Sequence, residues 1–202
     1  MKASRLEAFS DAMIAILMTI MILELKVPKG ETWETLFPLF PAFLAYVLSF
    51  IYLGIYWNNH HHMFQATDKI DGKVLWANMH LLFWLSLIPF TTGWMGTNHF
   101  ASVPMAAYGI TLLGAGLAYS ILQRTIINHG RDEDNAMLAK AIHNNGKGHL
   151  SILGYATAIP LAFVSPWISG AIYALVAGMW LIPDRRIEER VRAAEEKKAE
   201  QE

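Results

Sequence analysis

The chain of 202 residues contains no cysteine, and only 16% of it is Asp, Glu, Lys or Arg. The first absence excludes disulfides, thiolate metal sites and cysteine nucleophiles, while assigning no compartment. The second is unlike a soluble domain, where about a quarter of the residues carry charge. Charge is also missing in blocks: none occurs from Thr35 to Thr67, from Val74 to Gln123 or from Gly148 to Pro183, stretches of 33, 50 and 36 residues. About 20 apolar residues cross a bilayer core. With 54% hydrophobic residues, a water-soluble fold of this length could not hide so much apolar surface. The net charge of -1 lacks the clustered cationic excess that phosphate binding needs, which argues against nucleic acid as a partner.

What is present reads as an all-α integral membrane protein. Dividing the charge-free stretches at their Pro, Gly, Asn and His clusters predicts six transmembrane helices, near Ala8 to Lys26, Leu36 to Trp57, Val74 to Trp94, Ala101 to Leu122, Leu150 to Val164 and Trp167 to Ile182. The last two, parted by Ser165 and Pro166, are slightly short for a crossing, so a re-entrant hairpin is the alternative there. Six crossings put both termini on one side. Fourteen of the 16 Lys and Arg residues fall on that side and only Lys26 and Lys29 opposite, so the positive-inside bias makes it cytoplasmic.

Residues 1–183 then form the transmembrane domain and 184–202 a charged cytoplasmic tail, with helical pairs such as Glu188 to Arg192. The polar connection from Asn128 to Gly148 leaves room for a short helix from Arg131 to Lys140. Glu7 and Asp11 in the first apolar stretch are foreign to a cleavable signal peptide. Trp33, Trp57, Trp94 and Trp167 suit interfacial anchoring, and Gly114, Ala118, Gly170, Ala174 and Gly178 suit close helix approach.

A carboxylate within a spanning helix points to function. Asp11 lies in the first helix, which is poorly retained if it faces lipid and therefore belongs inside a bundle or assembly. For Asp11 itself, an interfacial position capping the helix or pairing with Arg5 is the alternative. At helical spacing, one face of this helix carries Ala12, Ile16, Thr19, Leu23 and Lys26, and another carries Phe9, Met13 and Ile20. Copies of the helix meeting on a symmetry axis would stack Ile16, Thr19 and Leu23 as rings one turn apart. Branched apolar rings gate by excluding water, and Thr hydroxyls replace part of an ion's hydration shell. Ordinary helix packing is the competing reading.

Arg5, Phe9, Ser10 and Asp11, in RLEAFSD, resemble the R-x-x-x-F-S-D signature of the endolysosomal potassium channel family, transmembrane protein 175, with its bacterial and archaeal members. Trp57, His60 and Phe64 in WNNHHHMF are similar to that family's W-x-x-H-x-x-x-F, and Asn78 followed by Pro89 and Phe90 to its third-helix spacing. These motifs cover the first 90 residues, and beyond Trp94 the likeness is one of topology. The resemblance implies a cation channel favouring potassium, with a pore lined by the first helices and a filter of hydrophobic rings. A chain with one six-helix repeat then needs four copies, a homotetramer around a central pore. Carried over by position, the narrowest ring is Ile16, with Thr19 and Leu23 as the next levels. Arg5, Ser10, Asp11, Trp57, His60 and Asn78 are then a structural polar cluster at the inner mouth, with Phe9 helping to hold the first helix. Such a buried network is tolerated only when satisfied.

Other chemistries fit less well. His60, His61 and His62 invite a metal, yet successive helical residues point about 100° apart, so the expectation is no metal site and a structural or proton-sensitive His60. Neither G-x-S-x-G, H-E-x-x-H nor paired carboxylates occur within the spans, which argues against an enzyme. A secondary transporter or a proton-conducting channel is the alternative function, although the outer-end Pro38 and Pro41 and the lack of a repeat disfavour a transporter. The expected protein is a leak-type potassium channel of the cell membrane, with the bilayer and potassium ions as partners and no cofactor.

Overall fold

The computed structural model describes residues 2–65, 70–129 and 146–181. All regular elements among them are helices: α1 Ala3–Leu23, a 3-10 segment Trp33–Leu39 running into α2 Phe40–Gln65, α3 Gly72–Ser86, α4 Ile88–Thr97, α5 Ser102–His129, α6 Gly146–Leu161 and α7 Pro166–Leu181. The 3-10 segment continues into α2 as one apolar rod, and α3 with α4 forms another. Together with α1 and α5 these make four helices long and apolar enough to cross a membrane. Adding α6 and α7 gives six antiparallel rods, the architecture of a multi-pass membrane protein. The expected tail at 184–202 and the short helix from Arg131 to Lys140 lie outside the described residues.

The sequence-based boundaries cut several helices short. Where polar clusters were read as ends, α2 runs on through His60 to Gln65, and α5 continues to His129. Polar side chains do not end a helix when neighbouring helices satisfy them. The opposite error occurs in the third rod. Pro89 has no N–H to offer the carbonyl of Leu85, and the rod breaks at Leu87 between α3 and α4. Its first turn is capped by Asp71, whose carboxylate accepts from the Val74 N–H at 2.9 Å.

The last pair crosses the bundle and is not a re-entrant hairpin. Gly116 on α5 faces Tyr155 and Ile152 of α6. Toward the other end of α5, the Tyr173 hydroxyl of α7 donates to the Met105 carbonyl at 3.1 Å. Trp167, at the α6–α7 turn, packs on Phe100 of the α4–α5 loop with ring centroids 5.7 Å apart. The turn therefore lies with the loop at the far end of the bundle, although each helix of the pair has 16 residues against the 28 of α5.

Close approach uses glycines only partly where expected. The Trp84 indole occupies the place a Cβ would take on Gly114, while a Cβ at Gly96 would stand 2.6 Å from the Ala42 backbone. Ala174 and Gly178 instead face outward on α7. Burial is uneven across the rods. Of an 18-residue apolar window, 56% is buried in α5 and 50% in α3–α4, against 28% in α1 and 22% in α2. Of the four long rods, the first two are thus the least covered; the shorter α6 and α7 bury few residues as well.

Candidate ion path and the polar anchor of the first helix

Helix α1 packs on α2, α3 and α4 through Ala3, Leu6, Ser10, Ile14, Leu17 and Met21, which recur at three- and four-residue intervals. One polar residue, Ser10, stands in this otherwise apolar stripe, and a hydrogen-bond chain explains its place. His60 on α2 donates from Nε2 to Asn78 Oδ1 on α3 at 2.8 Å. The Asn78 amide donates to Ser10 Oγ at 2.9 Å, and the Ser10 hydroxyl donates to the Leu6 carbonyl at 2.8 Å. All three side chains are fully buried, so the chain ties three helices at one level where water cannot substitute. Because Asn78 Oδ1 can only accept, the His60 proton sits on Nε2, and its buried Nδ1 has no partner among the described residues. Phe64 stacks on the imidazole at 4.4 Å.

The other signature residues stand around this chain without joining it. Arg5 is exposed, and no ion pair links it to Asp11. Six helical residues at about 100° each put the two side chains about 120° apart around the axis, which rules out the Arg5 pairing within one chain. Asp11 is half-buried, and its Oδ1 is enclosed without a partner among the described residues. Phe9 and Trp57 are 47% and 44% exposed, Trp57 stacking on His61.

A contact absent from the sequence reading is Glu7 with His61, whose Nδ1 lies 2.8 Å from the carboxylate. The signal was Glu7 one turn before Asp11, opposite a histidine one position past His60. The three consecutive histidines consequently meet different surroundings: His60 faces Asn78, His61 faces Glu7, and His62 is exposed.

Ile16, Thr19 and Leu23 lie on the opposite side of α1 from its packing stripe, about 150° away by helical projection. All three are exposed, Ile16 at 54% and Leu23 at 79%. Thr19 donates its hydroxyl proton to the Ile16 carbonyl at 2.8 Å, which leaves the oxygen lone pairs directed outward. The uncovered face is therefore apolar above and below a single hydroxyl oxygen, that of Thr19. Glu24 is not part of it, since its carboxylate lies against Gly93 of α4.

Six antiparallel crossings, with a polar tie holding the first at a set rotation, define a multi-pass membrane protein. The model of the family described as "Endosomal/lysosomal potassium channel TMEM175" matches residues 5–89. A protein named as a potassium channel from Chryseobacterium sp. (strain P1-3) is 53% identical over 95% of this chain and 99% of its own length. The crystal structure of a "lysosomal potassium-selective channel TMEM175 homolog" from Chamaesiphon minutus superposes with a TM-score of 0.73 at 27% identity, covering 89% of this chain and 96% of that one. The "Endosomal/lysosomal proton channel TMEM175" of Gallus gallus is 28% identical over 62% of this chain, which spans 25% of that protein. The chain belongs to the TMEM175 family, and these named relatives are ion channels, not enzymes.

Proposed function

We propose that this chain assembles as a homotetramer in the cytoplasmic membrane and forms a leak-type, potassium-selective channel, with both termini in the cytoplasm. Four α1 helices surround the axis, and Ile16, Thr19 and Leu23 form the constriction. The observation that carries this reading is the uncovered stripe of α1 opposite its own packing face, where the Thr19 hydroxyl sits between the branched apolar side chains of Ile16 and Leu23. Potassium sheds hydration water more readily than sodium, so a dehydrating apolar filter favours it, with modest discrimination. The names of the Chryseobacterium and Chamaesiphon relatives support the choice of ion. The low burial of α1 and α2 supports further copies as their cover. The orientation rests on the excess of Lys and Arg on the terminal side.

Asp11, with its unpartnered Oδ1, and the half-exposed Trp57 complete their contacts at the boundary between copies. Ser10, His60 and Asn78 hold α1 at the rotation that aims Ile16 inward.

A second reading, proton conduction, is favoured by the names of the vertebrate relatives. Purified protein in potassium-loaded vesicles separates the two. The expected result is potassium efflux that exceeds sodium efflux and needs no co-ion. Equal sodium and potassium fluxes would sink selectivity. Proton flux without potassium flux would favour the second reading, and dependence on a co-ion gradient would favour a transporter.

A further inference from the structure

The uncovered side of the α3–α5 pair carries polar groups that the ion path does not use. The Trp84 indole lies on Gly114, which brings these two positions of the antiparallel helices to one height. Toward the terminal side, Lys73 and Arg124 follow at equal remove, about 15–16 Å along each helix, so the two cations stand level with each other. Projected around each axis from the Trp84–Gly114 contact, Lys73, Trp76 and His80 of α3 turn to the same side as Leu117, Ile121 and Arg124 of α5. All six are exposed, and they flank a groove floored by Trp84. Asn78, which meets α1 and α2, lies about 140° round α3 from Lys73, so the groove faces away from the first helix.

Neither α3 nor α5 contains an Asp or Glu. Lys73 and Arg124 make no ion pair among the described residues, and the nearby Asp71 carboxylate is engaged at the Val74 N–H. Deeper in the groove, Trp84 Nε1 donates to His80 Nε2 at 3.1 Å, so that nitrogen is the acceptor and the imidazole proton sits on Nδ1. The Nδ1–H donates to no group among the described residues, although His80 is exposed. An N–H on an apolar face at that depth finds no bulk water and calls for another acceptor. Helical side chains lean toward the N-terminus, which here tilts His80 toward the terminal side.

We infer that this groove holds an anionic phospholipid of the terminal-side leaflet. Its phosphate sits between Lys73 and Arg124, whose long side chains reach up to the headgroup layer. An ester carbonyl below the phosphate accepts from His80 Nδ1, and the acyl chain runs over Trp84 along Leu117 and Ile121. Trp76 lies at the boundary between headgroup and chain. A zwitterionic lipid is disfavoured, because the cation of its own headgroup opposes the two basic side chains. Free phosphate lacks the ester and the chain that engage the deeper half of the groove. No residue of α1 takes part, so the inference is independent of the proposed ion path.

Native mass spectrometry of the full-length protein in detergent, titrated with phosphatidylglycerol or phosphatidylcholine, tests the binding. Saturable retention of phosphatidylglycerol is expected, several-fold tighter than that of phosphatidylcholine and not displaced by millimolar inorganic phosphate. Lys73→Gln with Arg124→Gln weakens it on the order of tenfold, whereas Lys26→Gln with Lys29→Gln removes the same charge at the opposite end and leaves it unchanged. His80→Phe removes the deep donor without altering the basic pair and weakens retention several-fold, which keeps the test available if the double variant does not fold. Equal retention of the two lipids, an equal loss in both double variants, or displacement by phosphate overturns the inference. A Lys73 and Arg124 double variant that loses tetramer while keeping phosphatidylglycerol also overturns it, and places a second copy on the groove.

Discussion

The Asn78 side chain bridges two helices at once, accepting from His60 at 2.8 Å and donating to Ser10 at 2.9 Å, with all three groups sealed from solvent. Neither partner has another way to satisfy the group that Asn78 serves. Removing it with Asn78→Leu leaves the His60 N–H unpaired in an apolar interior, at a cost of about 1–3 kcal/mol. The expected outcome is a lower thermal midpoint and lower tetramer yield, measured by fluorescence-detected size exclusion on heating. An unchanged midpoint would contradict the tie.

The apolar constriction is tested at Ile16. Ile16→Asn places an amide where a branched side chain excludes water, so potassium flux in vesicles should rise several-fold and the potassium-to-sodium ratio fall toward one. Currents identical to those of the parent channel would move the ion path away from this face.

The absence of cysteine makes a second test clean, because any introduced thiol is the only one present. Thr19→Cys and Leu23→Cys should react with a charged, membrane-impermeant thiol reagent and lose flux, since a water path reaches them. Ile14→Cys, at a position 1% exposed within the packing stripe, should remain inert. If the first two are as inert as the third, that face meets lipid.

Asp11 should act on assembly more than on selectivity. Its enclosed Oδ1 lacks a partner within one chain, and a neighbouring copy is the place for one. Asp11→Ala is expected to reduce tetramer yield while the surviving channels keep their ion preference. A stable tetramer with altered selectivity would place Asp11 in the ion path instead.

The Glu7–His61 contact gives a contrasting expectation. His61 is 36% exposed on the side chain and Glu7 18%, so solvent screens the pair. Glu7→Gln should change stability by less than about 1 kcal/mol and leave the potassium flux intact, as read from the thermal midpoint and vesicle assay. A large loss of flux would mean that the pair sets the position of α1.

Much of this protein is legible before any fold is known. The three charge-free stretches translate into crossings because bilayer thickness sets a length that composition must match. The exposed face with Ile16, Thr19 and Leu23 is readable because 3.6-residue periodicity separates it from Ile14 and Leu17 on the same helix. The polar cluster was legible only in part. RLEAFSD and WNNHHHMF supply Ser10 and His60 to the hydrogen-bond chain, yet Arg5 and Trp57 stand outside it, and the Glu7–His61 contact left too weak a mark to find. The α2 boundary differs for the same reason: of the histidines that resemble an end, His60 turns inward to Asn78 and His61 meets Glu7, while His62 is exposed.

By itself the sequence determined the solvent, the long crossings and the side that carries the basic residues, since each depends on local composition along one dimension. Only the tertiary structure decided that Ser10 meets Asn78 and His60, that Trp84 lies on Gly114, and that the α6–α7 turn reaches the far end of the bundle beside Phe100. Those facts depend on the rotation and height of each helix against its neighbours. Spacing within one helix sets its faces relative to one another, and packing alone sets which face meets which partner.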